Sequence, residues 1–155
     1  MENLLYKNES YAIRGAIYDV HNHLGHGFLE SVYQEALEKE FTLREIPFFP
    51  QLELNIKYKD YTLDKYFRVD FLCYGKIVVE IKSQKRTTTA DQAQLLNYLK
   101  ASGCSLGFLV NFGTYPKATI ERMVFTPQAP NISEIRAISG ETPQNTHPPN
   151  PRHPW

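Results

Sequence analysis

Two runs of strand-forming sequence joined by a short turn carry charges that apolar strands seldom carry: Arg68-Val69-Asp70-Phe71-Leu72 and Val78-Val79-Glu80-Ile81-Lys82. Side chains alternate across a strand, so Glu80 and Lys82 share one face while Val79 and Ile81 point into the opposite layer. Charge inside apolar strand sequence is costly unless it is paired or binds an ion. Two carboxylates facing each other across a ladder repel, and a divalent cation between them removes that penalty. The pattern reads as half of a Mg²⁺ site with a lysine beside it. The plain alternative is two solvated residues on the open face of an antiparallel sheet.

Register supplies an internal check. A two-residue loop at Tyr74-Gly75 would set Asp70 opposite Val79 and send the carboxylates to opposite faces. The metal reading therefore predicts a turn about Gly75 with an odd loop or a bulge.

The rest of the chain supplies a frame for that hairpin. Ile13, Ile17, Val20 and Leu24 recur at helical spacing after Asn8 or Ser10, either of which can cap a helix, and Gly25 ends it. A second helix is predicted over 29–43, with Leu29, Val32, Ala36, Leu37 and Phe41 as its stripe, before Pro47 and Pro50 break the pattern. Strands are predicted over 51–58, 61–74 and 76–83, with a turn at Lys59-Asp60. Thr89 opens a third helix, and the run from Leu106 to Phe112 is apolar on both faces, as a covered strand requires. Residues 117–125 form a last strand or short helix. The order α-α-β-β-β-α-β-β makes an α/β chain with a mixed sheet flanked by helices.

One domain over 1–125 is followed by a tail over 126–155 that holds seven of the ten prolines. Proline removes donors and blocks helix and central strand, so the tail is expected to be largely disordered, with a brief apolar element at 132–138. Lysine plus arginine and aspartate plus glutamate balance at 17 each, so any basic surface must be local. Cys73 and Cys104 stand apart without a CxxC partner, as small core residues of a reduced, cytoplasmic protein. No apolar stretch approaches the ~20 residues of a membrane span.

Other residues converge on the charged hairpin. Glu30 stands in a first helical turn, where an acidic residue also simply complements the helix dipole. Ser83-Gln84-Lys85-Arg86-Thr87-Thr88 is a polar, basic loop leading into a helix N-terminus, whose N–H groups are expected to receive a phosphate, with Lys85 and Arg86 adding charge. Gln94 and Tyr98 are four apart on one helix face, Gln94 among apolar neighbours where an amide wants a partner. His21, His23 and His26 make a poor metal set, because only His23 and His26 share a side; His21 reads as a helix-end residue bonding backbone carbonyls, near the corner that delivers Glu30.

Gly27, Glu30 and Tyr33, the helix ending in Val20-His21-Asn22-His23-Leu24-Gly25, the Asp70 and Glu80-Ile81-Lys82 strands, and the stretches 93–100 and 106–112 together resemble the GxxExxY protein family, a branch of the PD-(D/E)XK nuclease-like superfamily. The resemblance spans roughly residues 8–125, and Gln94 and Tyr98 also match the QxxxY motif of an exonuclease-like branch. His26 departs from the proline more usual there. The resemblance implies a restriction-endonuclease-like fold with Glu30, Asp70, Glu80 and the Ile81 backbone carbonyl around Mg²⁺ or Mn²⁺. Lys82 would orient or activate the attacking water. Gln94 and Tyr98 would steady Lys82 or contact the nucleic-acid backbone, with Lys85, Arg86, Tyr33 and His21 in binding or supporting roles. The expected function is a metal-dependent nuclease acting on DNA ahead of RNA. The alternatives are a catalytically silent nucleic-acid-binding or accessory protein that retains the fold, and an interaction module that uses the proline-rich tail. A chain of this size leaves specificity to a homodimer or an accessory partner.

Overall fold

A computed structural model describes residues 4–126; of the tail expected over 126–155, residues 127–155, with the element at 132–138, lie outside the described residues. The elements are α1 (Lys7–Leu24), α2 (Glu30–Leu43), β1 (Phe48–Tyr58), β2 (Tyr61–Cys73), β3 (Ile77–Lys82), α3 (Thr89–Ser102), β4 (Leu106–Asn111) and β5 (Thr119–Val124). The five strands lie in chain order in one sheet, antiparallel except where β3 runs parallel to β4. The crossover that parallel pairing demands is supplied by α3. The α+β mixed sheet flanked by helices is the restriction-endonuclease-like arrangement expected from the sequence.

Two apolar layers sandwich the sheet. Ile13 and Ile17 of α1 and Tyr33, Leu37 and Phe41 of α2 pack on Phe71, Val79, Ile81, Phe108 and Val110. Leu95 and Leu99 of α3 pack on the other face against Leu52, Phe67, Val69, Val78 and Leu109. Every residue of β4 is buried, because helices cover both of its faces.

Two boundaries differ from expectation. Helix α1 begins at Lys7, with Tyr6 in left-handed backbone and no side-chain cap, so neither Asn8 nor Ser10 starts it. Strand β1 begins at Phe48 and runs through Pro50, the residue expected to break the pattern. It sits at the sheet edge, where a proline costs no ladder bond on the open side.

The β2–β3 turn has the predicted parity. Cys73 pairs with Ile77, leaving Tyr74, Gly75 and Lys76 as a three-residue loop, with Tyr74 and Gly75 at positive φ (56° and 69°). The same register would set Asp70 opposite Glu80, yet the ladder stops one pair earlier, at Phe71↔Val79.

A kink in the neighbouring strand pair accounts for that stop. Phe67 and Val69 pack toward α3, whereas Phe71 and Cys73 pack toward α1 and α2, so the alternation of β2 breaks at Asp70. Across from it on β1, Gln51 takes a left-handed φ of 51°. Asp70 thereby keeps the face of Arg68 and opens on the α2 side.

The loop after β3 is tied to the end of β4. Asn111, fully buried, accepts from Gln84 N–H at 3.1 Å and donates to the Gln84 carbonyl at 2.8 Å. A β-carbon on Gly113 would collide with the Gln84 backbone. Gly113→Ala is therefore expected to cost about 2 kcal/mol, by displacing rigid backbone rather than a side-chain tip. Urea denaturation checks it, and an unchanged midpoint would show that the close approach is unimportant.

Candidate active site

The corner between α1 and α2 sets the place of Glu30. Gly27 has φ 106°, a conformation that a β-carbon disfavours. The Tyr33 hydroxyl donates to the Gly25 carbonyl at 2.6 Å and accepts from Phe28 N–H at 3.3 Å. Its ring is buried and stacked on Phe112, with centroids 4.5 Å apart. Ser83 Oγ donates to the Phe28 carbonyl, joining this corner to the end of β3. Spacing in the Gly27-x-x-Glu30-x-x-Tyr33 motif thus has a physical reason: the glycine turns the chain, the tyrosine pins the turn, and the glutamate between them is presented outward.

Asp70 and Glu80 grip each other's strands where the ladder fails. Glu80 Oε1 accepts from Asp70 N–H at 2.8 Å, and Asp70 Oδ2 accepts from Ile81 N–H at 2.9 Å. Gln51 Nε2 donates to Asp70 Oδ1 at 3.3 Å. Each carboxylate replaces a missing ladder acceptor, which explains how two acids stand inside the sheet. Glu80 is 5 % exposed. Burial, then the charge of Asp70, pushes its pKa up to about 9. Burial raises Asp70 as well, against hydrogen bonds from Ile81 and Gln51. Burial thus works against ionisation of both carboxyls. Burial also raises Glu30, whose carboxylate is influenced next by Lys82.

Lys82 serves all three acids. Its charge acts on Glu30, Asp70 and Glu80, and its Nζ lies 3.7 Å from Asp91 Oδ1. Asp91 also forms a reciprocal capping box with Thr88 and accepts from Gln84 Nε2 at 2.6 Å. Burial opposes its ionisation, but the hydrogen bonds from Thr88 and Gln84 together with Lys82 leave its pKa lowered. The α3 N-terminus is thus occupied by a carboxylate of its own chain, so the phosphate expected at its N–H groups meets a negative charge instead. Sequence reasoning missed Asp91, although Thr88-x-x-Asp91 is the spacing of a capping box.

A cleft of about 550 Å³ opens between α2 and the kink, lined by Glu30, Gln34, Glu38, Gln51, Asp70 and Ile81 among others. Gln34 and Gln51 were not anticipated; Gln34 lies one turn from Glu30, which is the signal that could have found it. Gln34 Nε2 bonds Glu38 Oε2 at 3.1 Å and the Asp70 carbonyl at 3.3 Å, while its buried Oε1 has no hydrogen-bond partner.

The remaining expected site residues disperse. Tyr98 reaches toward the carboxylates from α3, stacked on Phe67 with centroids 4.6 Å apart, and burial followed by the Glu80 and Asp70 charges raises its hydroxyl pKa. Gln94, expected among apolar neighbours, is exposed, since Leu95 takes the inward position. Lys85 and Arg86 are exposed on the loop. His21 is buried, with Nε2 2.9 Å from the Thr114 carbonyl, so it braces that turn rather than a helix end. His23 bonds the Asp19 carbonyl and His26 packs on Tyr115, so the histidines form no cluster.

Among the described residues no three His, Cys, Asp or Glu side chains converge tightly enough to hold a metal as they stand. The donor chemistry nonetheless fits a hard divalent cation. The half-buried Asp70 carboxyl faces a polar cleft that also holds Glu30 and an orphaned amide oxygen, and the buried Glu80 carboxyl is bonded to the Asp70 N–H behind it.

The model of the PD-(D/E)XK nuclease superfamily matches residues 7–123. The chain belongs to that superfamily. Its members are generally nucleases, which use divalent metal ions. Among solved structures it is similar to one titled "Crystal structure of SSO0001", at 13% identity and TM-score 0.51, covering 92% of this chain and 87% of that one. That likeness concerns the fold. No curated protein matches the chain. Among the described residues no helix is long and apolar enough to cross a membrane.

Asp70, Glu80 and Lys82 stand where β2 and β3 part, past the last ladder pair Phe71↔Val79, and the Asp91 carboxylate lies 3.7 Å from the lysine Nζ. Asp91→Asn is expected to lower the turnover number about tenfold while leaving metal affinity unchanged, with partial recovery in Asp91→Glu. Steady-state kinetics beside calorimetric metal titration check it; weakened metal binding in Asp91→Asn would argue that the residue acts on the carboxylates instead.

Proposed function

We propose that this protein is a Mg²⁺- or Mn²⁺-dependent nuclease hydrolysing DNA, of the GxxExxY group within its superfamily. The observation that carries the reading is the Asp70–Glu80 pair: one half-buried and one buried carboxyl, held by each other's strands, with Lys82 beside them. A binding surface has no need of acids that burial pushes toward protonation. Asp70, Glu80 and the Ile81 carbonyl would hold the ion, with Glu30 across the cleft as a further donor. A bound cation would offset the carboxylates and the charge that builds on the phosphate.

This chain's own residues do the rest. Lys82, restrained by Asp91, orients a water for in-line attack on phosphorus and adds positive charge beside it. The new P–O bond forms from that water, which gives up a proton to solvent, as the bond to the leaving sugar oxygen breaks and the departing oxygen takes up a proton from solvent. Lys85 and Arg86 stand ready for the flanking phosphates. The free thiols of Cys73 and Cys104 suit a reducing compartment, the cytoplasm. Specificity is assigned to a homodimer or an accessory partner.

The competing reading, a nucleic-acid-binding protein that keeps the fold without cleaving, draws on the separation of Glu30 from the other two acids. Incubating wild type and Asp70→Asn with single-stranded, duplex and branched DNA in Mn²⁺ separates the two. Cleavage by wild type alone supports the nuclease, and DNA binding without metal binding or cleavage overturns it.

A further inference from the structure

Strands β1 and β2 continue well beyond the body of the sheet. β3 pairs with β2 only at Phe71, Leu72 and Cys73, whereas β1 and β2 pair from Phe48↔Cys73 out to Tyr58↔Tyr61. From the kink outward the two strands form a ribbon. One of its faces is committed: Leu52, Leu54, Phe67 and Val69 pack in the layer of Leu95, Leu99 and Tyr98 of α3. The register puts Gln51 and Asp70, then the pairs Glu53↔Arg68 and Asn55↔Tyr66, on the other face.

That second face begins at the cleft, because Gln51 and Asp70 line it. Farther out it is open: Asn55 is exposed, Arg68 has 49 % of its side chain exposed, and Tyr66 is 49 % exposed. Alternate residues of one strand are about 7 Å apart, so Arg68 stands about 7 Å and Tyr66 about 13 Å along the strand from Asp70. Successive phosphates of an extended strand are separated by a similar step. A cation followed by an exposed ring is the combination that tracks a nucleic-acid backbone and stacks a base. Charge agrees with this occupant. The chain as a whole is neutral, but the ribbon from Glu53 to Arg68 carries Lys57, Lys59, Lys65 and Arg68 against Glu53, Asp60 and Asp64, a net of one positive charge.

We propose that the open face of the β1–β2 ribbon is the track along which a DNA strand leaves the cleft, with Arg68 holding a phosphate and Tyr66 stacking on a base. Arg68 is already set for the role by its ion pair with Glu53 at 3.3 Å, which orients the guanidinium on this face. The inference rests on the nuclease reading, since it takes its direction from Asp70.

Fluorescence anisotropy of fluorescein-labelled single-stranded and duplex DNA, with Ca²⁺ in place of Mg²⁺, tests it without depending on cleavage. Tyr66→Ala and Arg68→Ala are each expected to weaken binding about tenfold, in line with the loss of one stacking or one charged contact. Tyr66→Phe should bind like wild type. Arg68→Ala should also lower the salt slope of binding by about one unit, which a structural role would not do. Circular dichroism should show both variants folded, as expected for exposed positions. Unchanged binding in both alanine variants overturns the track while leaving the nuclease reading intact, provided that Asp70→Asn still abolishes cleavage. A wild type that binds no DNA overturns both. A dimer in sedimentation that Tyr66→Ala converts to monomer would assign the face to a second copy of the chain and overturn the track.

Discussion

Asp70→Asn is expected to abolish cation binding and to lower DNA cleavage by about a thousandfold or more, the largest effect of any single substitution in this chain. The change is nearly isosteric, so its effect on folding is small. The oxygen of the introduced amide can still accept from Ile81 N–H, and its nitrogen takes the place of the oxygen that accepts from Gln51, which a turn of the Gln51 amide accommodates. What disappears is the carboxylate that Asp70 turns to the cleft. Calorimetric titration of Mn²⁺ into wild type and Asp70→Asn measures the first effect, and initial cleavage rates measure the second. A variant that still binds Mn²⁺ as wild type does would remove Asp70 from the site. A wild type that takes up no Mn²⁺ would leave the fold as a binding scaffold only.

Glu80→Gln is expected to inactivate the protein while making the metal-free form more stable, and the sign follows from linkage. Glu80 has a folded pKa of about 9 against 4.5 for the ordinary carboxyl, with burial the main cause and the Asp70 charge next. A raised folded pKa means that the native state binds the proton more tightly than the unfolded chain does. That contribution to stability is fully present below pH 4.5 and is lost as the pH rises toward 9. The glutamine side chain mimics the protonated acid, keeps the acceptor for Asp70 N–H, and does not titrate. The Tm difference between variant and wild type should therefore widen with pH, reaching roughly 5–10 °C near neutral pH and above for an effect of about 2 kcal/mol. Mg²⁺ should narrow the gap by stabilising only the wild type, and its binding at neutral pH should release a proton, visible as a dependence of the heat on the buffer. Thermal melts from acid to mildly alkaline pH decide the matter. A gap that stays constant across pH would mean that Glu80 is ionised in the free protein.

The two substitutions together separate charge from architecture. Both remove one titratable carboxyl from the same pair; burial raises both pKa values, against hydrogen bonds at Asp70 and with the added charge of Asp70 at Glu80, so the stabilisation is expected to be larger at Glu80. On the proposed reading, such a strained acid is kept because a cation can discharge it. That is the stability cost expected at a functional site.

Much of the architecture is legible in the sequence because it depends on local pattern. Helical spacing places α1, α2 and α3, the apolar run places β4, and the charges on the two strands require the odd loop found at Gly75. The differences arise where tertiary position overrides local preference. Pro50 reads as a chain breaker, but an edge strand has no partner to miss its N–H. Gln94 reads as inward, but the turn of α3 that buries Leu95 and Leu99 leaves it outside. Tyr33 and His21 draw notice for the right neighbourhood, but both are buried braces: one pins the corner that presents Glu30, the other holds the Thr114 turn.

By itself the sequence determined which charged residues ride inside apolar strands and helices and on which elements they lie, because charge inside apolar runs and period-two or period-3.6 spacing are local properties of the chain. Only the tertiary structure decided how those residues meet. The flip at Gln51 and Asp70 turns the aspartate toward α2, the exchange of acceptors between Asp70 and Glu80 lets two acids stand where a ladder should be, and Asp91 claims both Lys82 and the α3 N-terminus. Each of these joins groups from separate elements, and hydrogen bonds across such distances leave no periodic trace in the sequence.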